Sequence, residues 1–157
     1  MRDAFHCDCQ NPDGYMVTVD RTLTLAQMLA AGDYREVPDL DPCQFPIAQG
    51  GRKIVHLALL HVHGDPQTAV PYHDVIAALK ARKETLAGPE ELLALGSRFP
   101  DLQRHGVILA LGVIDGDPLF PDWATALALS GDEEGRYVET RFLENGIVPG
   151  THVLVIR

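Results

Sequence analysis

The chain has 157 residues, of which 46% are hydrophobic, and it carries 22 Asp plus Glu against 13 Lys plus Arg. This length fits one domain whose core needs no disulfides, and no apolar run approaches the about 20 residues of a membrane-spanning helix. The formal net charge of -9 repels phosphate backbones, so we expect no general binding to nucleic acids.

The first segment, residues 1–14, has the polar, turn-forming composition of a flexible leader, and we expect a single domain over residues 15–157. Cys7, Cys9 and Cys43 are an odd number of thiols, and no apolar signal segment precedes them. This pattern is typical of a reducing compartment and predicts the cytoplasm. Cys7 and Cys9 offer thiolate ligands, but they lack the paired CxxC spacing of a structural zinc site.

A short strand over residues 15–19 is predicted from its alternating apolar positions, and a helix over residues 25–31 follows. Thr24 and Gln27 have the spacing of a capping box at the start of this helix. Gly32 is expected to end the helix in the left-handed conformation that glycine tolerates.

A proline-rich connector over residues 35–51 precedes a strand over residues 53–63. Both faces of that strand are largely apolar, which favours a central position in a sheet. Two helices are predicted next, one over residues 71–83 and one that begins at Pro89 with acidic residues in its first turn.

The rest of the chain is predicted to form strands over residues 107–114, 123–129, 136–143 and 153–156. A turn over residues 115–118 is predicted after the first of these strands. The predicted order is therefore β-α-β-α-α-β-β-β-β. Strands clustered after helices are typical of an α+β domain, with a mostly antiparallel C-terminal sheet packed on helices.

Three segments carry a family resemblance: TLTLAQMLAAGDY (residues 22–34), FPI (residues 45–47) and GPEELLALGSRFPDLQRHGVILALG (residues 88–112). Together they resemble a pattern of small uncharacterised bacterial and phage-associated proteins. After Gly112 the chain departs from this pattern. The resemblance implies a compact domain and carries no activity with it.

His61 and His63 are the strongest candidates for metal ligands. Positions i and i+2 of a strand share a face, so two imidazoles there can converge on one ion. Asp65 and His73 follow shortly and complete a set that suits zinc or another divalent transition metal. The alternative is that the pair marks the polar end of a buried strand. Because nothing in the sequence fixes a third ligand, we expect no stoichiometric metal in the purified protein.

No GxSxG elbow, GxGxxG loop or GxxxxGK[ST] loop is present, and Cys43 has no neighbouring base. The sequence therefore favours a non-enzymatic binding or accessory module of a bacterial or mobile-element protein, with a protein as the candidate partner and no cofactor. The alternative is a small metal-dependent enzyme that uses His61, His63 and His73 to hold an ion such as zinc.

Overall fold

The computed structural model describes residues 5–7, 11, 13–117 and 120–157, with the backbone alone at residues 6, 7, 117 and 120–123. Within these ranges the chain forms three α-helices, one 3-10 helix and eight strands. The helices are α1 (Leu25–Ala31), α2 (Tyr72–Ala81) and α3 (Pro89–Arg98), and the 3-10 helix is Leu102–Arg104. The strands are β1 (Phe5–Cys7), β2 (Tyr15–Asp20), β3 (Arg52–Val62), β4 (Thr85–Leu86), β5 (Ile108–Asp117), β6 (Phe120–Gly131), β7 (Arg136–Phe142) and β8 (His152–Ile156).

All eight described strands join one sheet, in the order β1-β3-β8-β5-β6-β7, with β2 also on β3 and β4 also on β8. Leu57 of β3 pairs with Tyr15 of β2 on one side and with Ile156 of β8 on the other. Strands β1 and β2 therefore lie one after the other along the same edge of β3. Every pairing is antiparallel except that of β5 with β8. The predicted α+β class with a mostly antiparallel sheet is confirmed.

The sheet buries side chains on both of its faces. On one face, Leu57 and Leu59 of β3 pack in a core with buried residues of α1 and α3. On the other face, Leu60 and Val62 pack in a second core with buried residues of α2. This is why both faces of β3 are apolar in the sequence, since a central strand covered on two sides has no polar face.

Helix α1 begins as the sequence predicts. The backbone N–H of Gln27 donates to the Thr24 hydroxyl, and the Gln27 side chain accepts from the Thr24 backbone N–H, which completes the capping box. The expected left-handed ending at Gly32 is wrong, because Gly32 has φ -81°. The positive φ of 51° falls one residue later, at Asp33.

The segment expected to form a flexible leader, residues 1–14, contains strand β1. Its Phe5 pairs with Val62 and is only 2% exposed. Burial of this aromatic ring in the core beside α2 is the physical reason for the difference, because an apolar side chain that finds a core ties its backbone to the sheet.

Residues 115–117 of the turn predicted over residues 115–118 belong instead to strand β5. Strand β5 continues to Asp117 and stays paired with β6, where Asp115 lies opposite Thr125. The register shifts between Ala110 and Asp115 and again between Asp115 and Asp117, so the pairing is irregular along this segment. Residues 118 and 119 lie outside the described residues.

Candidate functional site

A cleft of about 370 Å³ opens at the edge of the sheet beside β2. One wall is β2 with a neighbouring residue of β3, and the opposite wall is formed by α1 and α3. Its lining is mostly apolar and includes Met16, Thr18, Leu23, Met28, Leu93 and Ala94.

None of the described helices is long and apolar enough to cross a membrane.

Strand β2 lies at an edge of the sheet. No described strand besides β3 pairs with it, so its other side is an edge of the sheet within the part of the chain that the structure describes. Two large apolar side chains at this edge, Met16 and Ile54, are 54% and 64% exposed, and both line the cleft. The cleft is therefore bounded by a strand that can accept a further strand and by apolar side chains that can contact it.

Two buried carboxylates stand at the start of α3, where one end of the cleft lies. Nη2 of Arg21 is 3.1 Å from Oε1 of Glu91 and 3.7 Å from Oε1 of Glu90. The backbone N–H of Gly88 donates to Oε2 of Glu91 at 2.9 Å. Oε2 of Glu90, which lines the cleft, is buried without a hydrogen-bond partner among the described residues. Two carboxyls thus share one guanidinium.

Burial raises the pKa of Glu90, and the neighbouring charge of Glu91 raises it further. Arg21 acts in the opposite direction and does not outweigh them. The positive end of the α3 dipole explains why acidic residues are tolerated there at all. Burial beside the cleft therefore favours the protonated form of Glu90.

The other end of the cleft is basic. Helix α3 and strand β2 run in opposite directions, because Arg21, just after β2, reaches Glu91 at the start of α3. Consistently, Tyr15 begins β2 and its ring lies 5.2 Å from that of Phe99, just after α3. Arg98 lines the cleft here, is exposed and forms no ion pair within the described ranges. The cleft therefore runs from a carboxylate end to a guanidinium end.

Of the four predicted metal ligands, the structure brings two together. Nδ1 of His61 lies 3.5 Å from Nε2 of His63, with the ring planes at 86°. His73 belongs to α2, on the opposite face of the sheet from His61, and its ring stacks on Tyr72. Asp65 is exposed in a turn, where it accepts from the backbone N–H of Gln67.

His152 joins the pair instead. It lies directly opposite His61 in the pairing of β3 with β8, and the two ring centroids are 5.1 Å apart. The register of β3 and β8 places His152 beside His61. This register is set by turns and packing rather than by a local sequence motif. As the side chains stand, no three His, Cys, Asp or Glu residues in the described chain are grouped to hold a metal ion.

Cys43 is the cysteine whose side chain the structure describes. Cys43 is exposed, and its backbone N–H donates to Asp41 in a turn of the connector. No base appears beside it in the described hydrogen bonds. The side chains of Cys7 and Cys9 lie outside the described residues.

The chain matches no protein-family model, no curated protein and no solved structure. The resemblance of residues 22–34, 45–47 and 88–112 to small bacterial and phage-associated proteins therefore stays a prediction.

Proposed function

We propose that this protein is a non-enzymatic binding module that takes an extended, largely apolar peptide segment of a partner protein along β2. One observation carries the proposal: the edge of β2 that no described strand covers is itself a wall of an apolar cleft. Addition of a strand to an open sheet edge, with side chains seated in an adjacent groove, is a recurrent way in which domains recognise peptides.

Backbone groups and side chains have different roles in this recognition. Backbone groups of β2 supply hydrogen bonds that do not depend on the peptide sequence. Side chains of a strand alternate between faces, so every second residue of an added peptide faces the cleft. Leu93 and Ala94 of α3 and Met28 of α1 then select apolar residues at those positions.

The charges of the cleft favour one direction of the peptide. Glu90 and Glu91 share one guanidinium at the end of β2, whereas Arg98 stands near its beginning. A peptide antiparallel to β2 has its amino end beside the carboxylates and its carboxyl end beside Arg98. This pairing of opposite charges supports an antiparallel segment with a basic residue first and an acidic residue last.

The experiment uses a library of hexapeptides in which apolar residues alternate with Thr, preceded by Lys and followed by Glu, and a second library with every sequence reversed. We expect the immobilised protein to retain members of the first library in preference to the second. Retention of neither library, or equal retention of both, contradicts the proposal.

Two matched variants locate the site. Ala94→Arg fills the cleft from α3 and is expected to abolish retention of the peptides. Phe142→Arg changes an apolar residue that is 57% exposed on β7 at the opposite edge of the sheet, and it is expected to leave retention unchanged. Arg98→Glu is expected to remove the preference for direction while the apolar preference remains.

A further inference from the structure

We infer that His61, His63 and His152 form a site for a divalent transition metal of the zinc class at one end of the sheet. This ligand set differs from the one that the sequence suggests, because His152 takes the place of His73 and Asp65. The site is separate from the peptide cleft, so the test of metal binding does not depend on whether the cleft binds a peptide.

The backbone brings the three residues together. His61 and His152 are directly opposed in neighbouring antiparallel strands, an arrangement in which Cβ atoms are about 4.5–5.5 Å apart and share a face. His63 follows His61 by two positions and continues on that face. His6 is also paired in backbone register with His61, from the other side. Three histidines with described side chains, His61, His63 and His152, therefore lie together where β3 ends.

The spacing of the ring nitrogens suits a tetrahedral ion. With Zn–N bonds of about 2.0–2.1 Å, the ligand nitrogens of a tetrahedral zinc ion are about 3.3 Å apart. Nδ1 of His61 and Nε2 of His63 are 3.5 Å apart. Both rings are partly buried, so an ion between them meets less competition from water than at an exposed pair.

The surroundings of His152 are built closely around its ring. Gly106 has φ +153°, and a Cβ atom on it would lie 3.2 Å from Nδ1 of His152. The backbone N–H of His152 donates to the carbonyl of Val107 at 2.8 Å. A glycine is thus favoured where the loop before β5 passes the imidazole, and the backbone of Gly106 bounds the space in which the ring can turn.

The third imidazole must turn to complete the site. Its ring centroid is 5.1 Å from that of His61, and the three rings do not converge as they stand. Ordering His152 opposes binding, so the affinity is lower than that of a preformed structural zinc site. Metal added to the protein is therefore expected to bind, whether or not the protein carries metal as purified.

The test titrates the metal-free full-length chain with Co²⁺, followed by visible absorption, and then displaces it with Zn²⁺ in competition with a chromophoric chelator. We expect one ion per chain, with the absorption of an imidazole-coordinated tetrahedral cobalt ion. His61→Ala and His152→Ala should each weaken zinc binding by at least tenfold. The matched control, His73→Ala, should leave it unchanged.

Circular dichroism verifies that each variant is folded, and His152→Phe, which keeps a ring of similar size, replaces the alanine variant if that one does not fold. No binding by the wild type, or wild-type affinity in both His152 variants, overturns the inference and leaves a hydrogen-bonded histidine pair. A loss in His73→Ala equal to that in His61→Ala overturns it as well, since it restores the ligand set predicted from sequence.

Discussion

The guanidinium of Arg136 lies over the ring of Tyr34, with its Cζ atom 4.7 Å from the ring centroid. The same guanidinium donates to the carbonyl oxygens of Gly32 and Gly96 and to Oε1 of Gln103. Arg136 begins β7, so one side chain joins the outermost hairpin of the sheet to the ends of α1 and to α3. The helical layer that forms the cleft is held in place partly by this contact.

Arg136→Met is expected to destabilise the protein strongly. The change removes the charged donors to the carbonyl oxygens of Gly32 and Gly96 and to Gln103, so we expect a loss of about 3 kcal/mol in the free energy of unfolding. Urea denaturation measures it. The matched control is Arg141→Met on the same strand, where an exposed pair with Glu139 is lost at a cost of about 0.5 kcal/mol or less. Equal losses in the two variants would contradict the role given to Arg136.

Tyr34→Phe is expected to change the response to alkaline pH. Burial raises the pKa of Tyr34 to about 12 from an ordinary value of 10.0, against the attraction of Arg136. The folded state therefore keeps the phenol proton when the unfolded chain has lost it. Stability from this group is fully present below pH 10 and is lost as the pH rises through about 12. The variant has no such loss.

Unfolding by urea at neutral pH and across this alkaline range tests the claim about Tyr34. At neutral pH the variant should be as stable as the wild type or more stable by about 1 kcal/mol, because the hydroxyl oxygen is buried without a hydrogen-bond partner in the described structure. If the free energy of unfolding falls equally with rising pH in the wild type and in Tyr34→Phe, ionisation of Tyr34 does not cause the loss of stability.

Thr24→Ala should destabilise α1. The hydroxyl of Thr24 accepts from the backbone N–H of Gln27, one of the otherwise unsatisfied donors at the helix start. Its removal is expected to cost about 1 kcal/mol, measured as a lower denaturant midpoint at unchanged slope. Thr24→Ser keeps the acceptor and serves as the control. If Thr24→Ala and Thr24→Ser have equal denaturant midpoints, the hydroxyl at this position does not stabilise α1.

Local chemistry explains which parts of this fold could be predicted. The start of α1 follows from Thr24 and Gln27, and the start of α3 follows from Pro89, because caps and proline act within one turn of chain. The position of β3 follows from its two apolar faces. Strand β1 was not foreseen, since three residues give no period, and only its pairing with β3 defines it.

The candidate sites depend on contacts that no local pattern encodes. Glu90 and Glu91 look like ordinary acidic residues of a first helical turn, and only the packing of α3 against β2 buries them. His152 lies opposite His61 because of the register of β3 with β8, which no local pattern predicts. The proximity of His61 and His63 is local and could be predicted, whereas the position of His73 could not, because the face of the sheet on which α2 packs was unknown.

Glu90→Gln is the variant that tests the electrostatics of the cleft. Glu90 has a raised folded-state pKa, caused first by burial and then by Glu91. Its contribution to stability is therefore fully present below the unfolded-state pKa and is lost as the pH rises through the folded-state value. Gln resembles the protonated acid in shape and in charge, so it keeps at neutral pH the stability that the wild type loses there.

We expect Glu90→Gln to be more stable than the wild type at neutral pH and equal to it in acid, below the ordinary glutamate pKa. Denaturant midpoints at the two pH values measure the difference. Glu133→Gln, in the exposed loop between β6 and β7, changes the net charge equally and should show no such dependence on pH. If Glu90→Gln is instead less stable at neutral pH, the attraction between Glu90 and Arg21 outweighs burial. The carboxylate end of the cleft is then a neutralised ion pair, and the preference for a basic residue at the start of the peptide should disappear with it.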